Sequence, residues 1–218
     1  MKDKVLIYGA SGHGKVIIDI VEREGRYKIV GILDDDPAIQ GRALCGYPIL
    51  GGVDLLNEGT YHDCKLILAI GNNRARKRLW EKLRELGYEL ACAIHPSAQI
   101  ARDVSIGPGT VIMANTAINS GSSVGGNAII NTGATIDHDC VIEDYVHISP
   151  GAHLAGNVKV GELTHIGIGV SVIQGVKIGK GVIIGTGAAV IDDIPDNVTA
   201  VGVPAKVIKR HGGGAEPA

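Results

Sequence analysis

The pair in this chain best suited to moving a proton is His138-Asp139. A carboxylate beside an imidazole can hold one ring tautomer and raise the basicity of the other nitrogen, which makes a general base. The plain alternative is a surface His next to a surface Asp. Three more histidines, His147, His153 and His165, follow within thirty residues and raise a metal reading of the zinc-hydratase kind. Their spacing has no distinctive acidic partners, so no metal is expected. Near the amino end, Gly9-Ala10-Ser11-Gly12-His13-Gly14 is a glycine run of the kind that offers backbone N–H groups to a phosphate. Its spacing is G-x-x-G-x-G, not the dinucleotide pattern, so NAD is not implied. Asp34-Asp35-Asp36 and Gly71-Asn72 complete the set, an acid after a second strand being suited to a ribose hydroxyl.

The histidines sit within a period. From Ile94 to Val190 every sixth residue is Ile, Val or Leu, seventeen rows with no slip of register. Four residues after each comes a small or compact side chain, such as Ala128, Ala134, Cys140 and Val146. Six is neither a helical nor a simple strand period. It fits a coil of three short strands with a corner every six residues, the hexapeptide signature of a parallel β-helix. One aliphatic side chain per row then points inward and the smaller one fills the corner. Glycine often follows the aliphatic residue, as at Gly107, Gly125, Gly161, Gly167, Gly179 and Gly185, and is expected to supply positive φ at the corners. Positions eighteen apart stack about 4.8 Å from one another, so the rows predict a prism of five to six coils roughly 25 Å tall. On this stacking His138 is flanked by Ser120 and Gly156, both too small to cover it, and His147 lies over His165. With no inserted loop, any cleft needs a wall from a neighbouring chain or from the N-terminal domain.

The first 92 residues read as a small α/β domain. Lys4 to Tyr8 is a buried strand, Val16 to Glu24 a helix and Tyr27 to Leu33 a second strand. Lys65 to Ile70 is a third strand, Arg74 to Leu86 a helix and Leu90 to Ile94 a last strand. The glycine run, the aspartates and Gly71-Asn72 then share the carboxyl edge of the sheet, where open α/β sheets bind ligands. We expect a nucleotide or nucleotide-sugar site there, facing the prism at fixed geometry because no long Gly/Ser linker intervenes. Residues 93–195 form the prism and 196–218 a C-terminal segment with a disordered tail from Gly212.

Composition removes other classes. The net charge is −2 and there is no Phe, which argues against nucleic acid and against an anionic membrane. No apolar run reaches a transmembrane length and no signal peptide is recognisable. Cys45, Cys64, Cys92 and Cys140 show no paired spacing, so reduced thiols and a cytoplasmic location are expected.

Nearly the whole chain, Val5 to Lys206, resembles the sialic-acid O-acetyltransferase (NeuD-type) family of hexapeptide-repeat sugar acyltransferases. It is close to the bacterial UDP-4-amino-sugar N-acetyltransferases. The residues that carry the resemblance are Tyr8 to Gly14, Leu33-Asp34-Asp35, Ala69 to Asn73, Asn131-Thr132, His138-Asp139-Cys140, Ala155 to Gly161 and Gly202 to Lys206. It implies a left-handed β-helix, where the general crossover rule would favour the right-handed form. It also implies a homotrimer and acetyl-CoA as co-substrate. His138 would take a proton from a sugar amine and Asp139, where the N-acetyltransferases carry Glu, would support it. His147, Ile168, Gly185, Thr186 and Gly187 would contact acetyl-CoA, and backbone N–H groups near Gly156 would polarise the thioester. Ser11, Gly12, His13, Asp34, Asp35, Gly71 and Asn131 would hold the nucleotide-linked amino sugar. The resulting expectation is an acetyl-CoA-dependent N-acetyltransferase of a nucleotide-linked 4-amino-deoxysugar. O-acetylation of a sialic-acid-like sugar, a zinc hydratase of γ-carbonic-anhydrase type and a non-catalytic assembly module are the alternatives.

Overall fold

The structure is a computed structural model and describes residues 2–57 and 59–212. The tail expected to be disordered falls, from 213 on, outside the described residues. The chain divides into two compact units, Met1–Pro96 and Ser97–Ala218. The division falls slightly later than the expected 92/93 boundary. The segment expected to stand apart from 196 is continuous with the second unit: Val198–Val201 pairs in parallel with Ile183–Ile184, and Lys206–Arg210 returns antiparallel to it.

The first unit is built on β1 (Asp3–Tyr8), α1 (Gly12–Glu24), β2 (Tyr27–Leu33), the short hairpin β3 (Ala43–Leu44) and β4 (Tyr47–Gly51), α2 (Asp54–Asn57), β5 (Cys64–Leu68) and α3 (Asn73–Glu85). The sheet order is β3-β4-β2-β1-β5. Neighbouring strands are parallel except in the hairpin. Val5, Leu6 and Ile7 of the interior strand β1 are fully buried, as continuous apolar strands of a parallel sheet must be when both faces are covered. The last expected strand is shorter than its sequence suggests. Leu90 makes only an isolated bridge to Leu66, and the regular strand is Ala93–Ile94.

The second unit is the expected left-handed parallel β-helix. Two-residue strands alternate with corners, and each strand pairs in parallel with the one eighteen residues on, as Ala117↔Thr135 and Ile118↔Ile136. Three faces result. The first face runs from Gln99–Ile100 to Ala189–Val190, the second from Ser105–Ile106 to Lys177–Ile178, and the third from Val111–Ile112 to Ile183–Ile184 and on into Val198–Val201. From Ile112 to Val190 every member of the aliphatic row is at most 3% exposed, and the compact residues from Thr110 to Ala188 at most 5%. The first rows are less complete, with Ile94, Ile100 and Ile106 half-buried.

One expectation about glycine is corrected. Gly107, Gly125, Gly161, Gly167, Gly179 and Gly185 do not carry the positive φ angles of the corners. Those fall two residues later, at Gly109, Gly121, Gly133, Gly151, Gly169, Gly175, Gly181 and Gly187, and in other rows at Asn115, Asn127, Asp139, Tyr145, Asn157 and Leu163. The glycine beside the aliphatic residue meets a different constraint. A Cβ at Gly161 would stand 2.6 Å from Lys180 N, and one at Gly167 would stand 2.5 Å from Ile184 O. The next coil is too close for a side chain there.

Candidate functional site

His138 and Asp139 occupy the corner that leads from the first face to the second, between Thr135–Ile136 and Val141–Ile142. Asp139 has φ 58°, a left-handed conformation that Asp tolerates better than most residues. Its carboxylate bonds to the preceding ring, with Asp139 Oδ2 at 2.8 Å from His138 Nδ1. When Nδ1 carries the proton, Nε2 keeps its lone pair. Both side chains are more than half exposed, so the ring faces solvent and not the interior. Gly156, one coil on, lies against the ring, and a Cβ there would come within 2.6 Å of His138 Cε1 and Nε2. The pKa of His138 is raised above the ordinary imidazole value, first by the hydrogen bond to Asp139. Desolvation opposes this, and the charges of Asp137 and Asp139 add smaller upward contributions.

Three further residues build this corner, and sequence reasoning missed them. Asp137 Oδ1 accepts from His138 N at 2.8 Å and from Asn119 Nδ2 at 2.9 Å. Ser122, 2% exposed, donates to Asp137 O at 2.7 Å and accepts from Cys140 N at 3.0 Å, so it ties together the peptides on either side of His138-Asp139. The available signal was spacing: Asn119 is eighteen residues before Asp137, and Ser122 eighteen before Cys140. A groove of about 370 Å³ on the first face is lined by Asn119, Thr135, Asp137, His153 and Ala155, among others, and reaches this corner through Asp137. Of the amides near the ring, Asn157 N is already bonded to His138 O at 2.9 Å.

The residues expected to contact acetyl-CoA lie elsewhere on the prism. His147 is on the third face, in register with His165, their rings 4.7 Å apart. Asn131, Ile168, Gly185, Thr186 and Gly187 fall at or beside the corner that leads from the third face to the first. Asn131 Nδ2 lies 3.1 Å from His147 Nε2, and Ile168 is 55% exposed. A single chain therefore carries the two sets on different edges, with the first face between them. The three histidines of the metal reading do not converge either. His165 Nε2 is 3.0 Å from Ser149 Oγ, while His153 is on the first face with Nδ1 2.8 Å from Thr135 Oγ1. Among the described residues no three of His, Cys, Asp and Glu gather as metal ligands.

In the first unit the expected carboxyl edge is assembled by the backbone. Gly9 N donates to Leu33 O at 2.7 Å, and Ala69 N to Tyr8 O at 2.7 Å. Gly9 has φ 119°, and a Cβ on it would stand 2.6 Å from Ala69 O. Gly12 and Gly71, by contrast, face open space. Ser11 is the N-cap of α1, yet its side chain makes no capping bond. The two aspartates have separate tasks. Asp34 accepts from Ala10 N at 2.8 Å and from Asp36 N at 3.0 Å, one bond to each oxygen, and so tethers the glycine loop. Asp35 receives the buried Tyr8 hydroxyl at 2.6 Å and Val53 N at 2.9 Å on Oδ1. That leaves Oδ2 as its remaining acceptor. Burial, and then the bond to Asp35, push the Tyr8 hydroxyl well above its usual pKa. His13 is shifted the other way, down to about 4, by burial first and then by the Arg76 charge. Its Nε2 is buried with no hydrogen-bond partner among the described residues. Arg76, 1% exposed, donates to Ile70 O at 2.7 Å and to Asn73 Oδ1 at 2.9 Å, which secures the loop around Gly71. A larger cavity, about 690 Å³, is lined by Lys2, Tyr27 and Lys28 at the opposite end of the strands and touches none of the expected residues.

Residues 4–83 match the family model of the PglD N-terminal domain. The chain is 41% identical over 109 residues to the UDP-N-acetylbacillosamine N-acetyltransferase of Bacillus subtilis (strain 168), an alignment that covers 49% of this chain and spans only half the length of that relative. It is 30% identical over 160 residues to the GDP-perosamine N-acetyltransferase of Escherichia coli O157:H7, covering 71% of each. Among solved structures, it superposes with a TM-score of 0.90 on a histidine-to-asparagine variant of the perosamine N-acetyltransferase from Caulobacter crescentus, in complex with CoA and GDP-perosamine. The identity there is 42%, and the superposition covers 94% of this chain and 97% of the other. On the fold, the corner geometry and these likenesses together, the chain belongs to the hexapeptide-repeat family of nucleotide-amino-sugar N-acetyltransferases.

Proposed function

We propose that the protein transfers the acetyl group of acetyl-CoA to the amine of a nucleotide-linked 4-amino-deoxysugar. One observation carries this reading: the 2.8 Å bond between His138 Nδ1 and Asp139 Oδ2, which leaves Nε2 directed to solvent above a residue without a side chain. The sugar amine attacks the thioester carbonyl as Nε2 accepts its proton. Asp139 stabilises the imidazolium that forms, and the departing CoA thiolate is protonated in turn. The amide of Gly156 is the donor we assign to the developing oxyanion, since that of Asn157 is already engaged. The first unit holds the nucleotide through Ser11, Gly12, His13, Asp35 and Gly71, with Asp34 shaping the loop.

We also propose a homotrimer. His138, Asp139 and Gly156 lie on one edge of the prism, and Asn131, Ile168 and Gly185 to Gly187 at or beside another. A neighbouring copy supplies the second edge to the first, and three copies close the ring. We propose a cytoplasmic location as well, in keeping with the proposed use of acetyl-CoA. The dyad would equally serve O-acetylation of a sialic-acid-like sugar, and the acetylated atom is read from NMR of the product.

The test is steady-state kinetics of His138→Ala with acetyl-CoA and amino sugars linked to UDP and GDP. A loss of about 10²–10⁴-fold in kcat is expected with unchanged melting temperature. Full activity in the variant would remove His138 from the mechanism.

A further inference from the structure

We propose that Lys159 and Lys177, stacked in register on the second face of the prism, form a phosphate site for the acyl donor beside the edge that carries His138. The proposal deepens the acetyl-CoA reading and rests on it. The two residues are Cα partners on adjacent parallel strands. Their side chains therefore leave the backbone about 4.8 Å apart, on the same side of the sheet. Like charges directly opposite one another on neighbouring strands repel. Both residues are exposed, and among the described residues neither ammonium has a carboxylate within ion-pair distance.

The charges are confined to these two coils. The same column above them holds Ser105, Ser123 and Val141. Lys159 comes three residues after Gly156, so its Cα lies within about 10 Å of the glycine that supports the His138 ring. Lys177 is one coil further on. Two residues on from each lysine, Gly161 and Gly179 carry no side chain because the next coil lies against them. A phosphate received between the two ammonium groups replaces their repulsion with charge-assisted hydrogen bonds. Coenzyme A carries its phosphates at the far end of a flexible arm from its sulfur. A thioester held at His138 would bring those phosphates to the coils beyond it. The sugar nucleotide is the other source of phosphate in the reaction.

Calorimetry on the full chain separates these sources, with CoA, pantetheine, UDP and GDP titrated into the wild type and into a Lys159→Met, Lys177→Met double variant. The expected result is a CoA Kd weakened about tenfold or more in the variant, with pantetheine and both nucleotides unaffected. An unchanged Kd for CoA overturns the proposal. So does an equal loss for CoA and pantetheine, which would mark a change of shape and not of charge. A loss confined to UDP or GDP also overturns it and moves the pair to the acceptor. Wild-type protein that binds no CoA overturns both this inference and the acetyl-CoA reading, whereas an unaltered double variant beside a CoA-binding wild type overturns this inference alone.

Discussion

The imidazole of His138 rests on Gly156, at a distance that a single methyl group would violate: a Cβ there would stand 2.6 Å from Cε1 and Nε2. Gly156 does not have a positive φ, so alanine is tolerated by the backbone, and the exposed ring is what must move. A ring displaced by about 1 Å loses rate because proton transfer depends on position. Gly156→Ala is therefore expected to lower kcat by about 10- to 100-fold. Denaturant melts should show a stability within about 1 kcal/mol of wild type. Wild-type kcat would show that the ring is not used where it stands.

The pH profile follows from the carboxylate beside it. The base must be neutral to act, and Asp139 raises the pH at which His138 loses its proton. The rising limb of kcat/KM is thus expected above the ordinary imidazole pKa of about 6.5. Asp139→Asn removes the largest cause of the shift. Its limb should move to lower pH, while the plateau falls because the imidazolium is less well stabilised. An unmoved limb in that variant would assign it to another group.

Tyr8 acts through Asp35. The hydroxyl, on a buried residue, donates to Oδ1 at 2.6 Å and so fixes the carboxylate, with Oδ2 as its remaining acceptor. Tyr8→Phe frees Asp35 to rotate. Its KM for the nucleotide sugar should rise several-fold, with kcat and the KM for acetyl-CoA unchanged. A loss of about 1–3 kcal/mol in stability should accompany it, as expected for a hydrogen bond to a charged group. Parallel changes in all three kinetic constants would mark the contact as purely structural.

His13 makes the first unit sensitive to acid. Its folded pKa, about 4, lies below the unfolded value of about 6.5, so the unfolded state takes up the proton first. The stability it lends is complete above pH 6.5. It falls progressively as pH drops toward 4, by at most about 3 kcal/mol. Melting curves of His13→Gln across this range should show a shallower loss than wild type. Identical slopes would mean that another group drives acid unfolding.

The site was legible in part. His138 could be assigned to an open edge because residues eighteen positions away were small, and stacking follows from the period alone. Ser122, Asn119 and Asp137 were not legible as its supports, because a Ser in a corner-filling column reads as a small filler. Its two hydrogen bonds across the His138 corner exist only once the coils are stacked. The two aspartates at the end of β2 looked equivalent in sequence. The fold separates them, since one lies within reach of Ala10 N and the other of the Tyr8 hydroxyl.

A period of six, held for seventeen rows, determined by itself that the chain coils and which residues face inward, because any slip would have put aliphatic side chains into water. Strand, glycine turn and helix likewise determined that the glycine loop, Asp34-Asp35 and Gly71 share the carboxyl edge of the sheet in the first unit. Only the tertiary structure decided which glycines turn corners and which make room for the next coil, since the two demands differ in φ and in distance, and neither is written in residue type. It also decided that the His138 set and the Ile168 set occupy different edges of one prism. Residues thirty apart in sequence are less than two coils apart along the axis, yet the triangular section sends them in different directions.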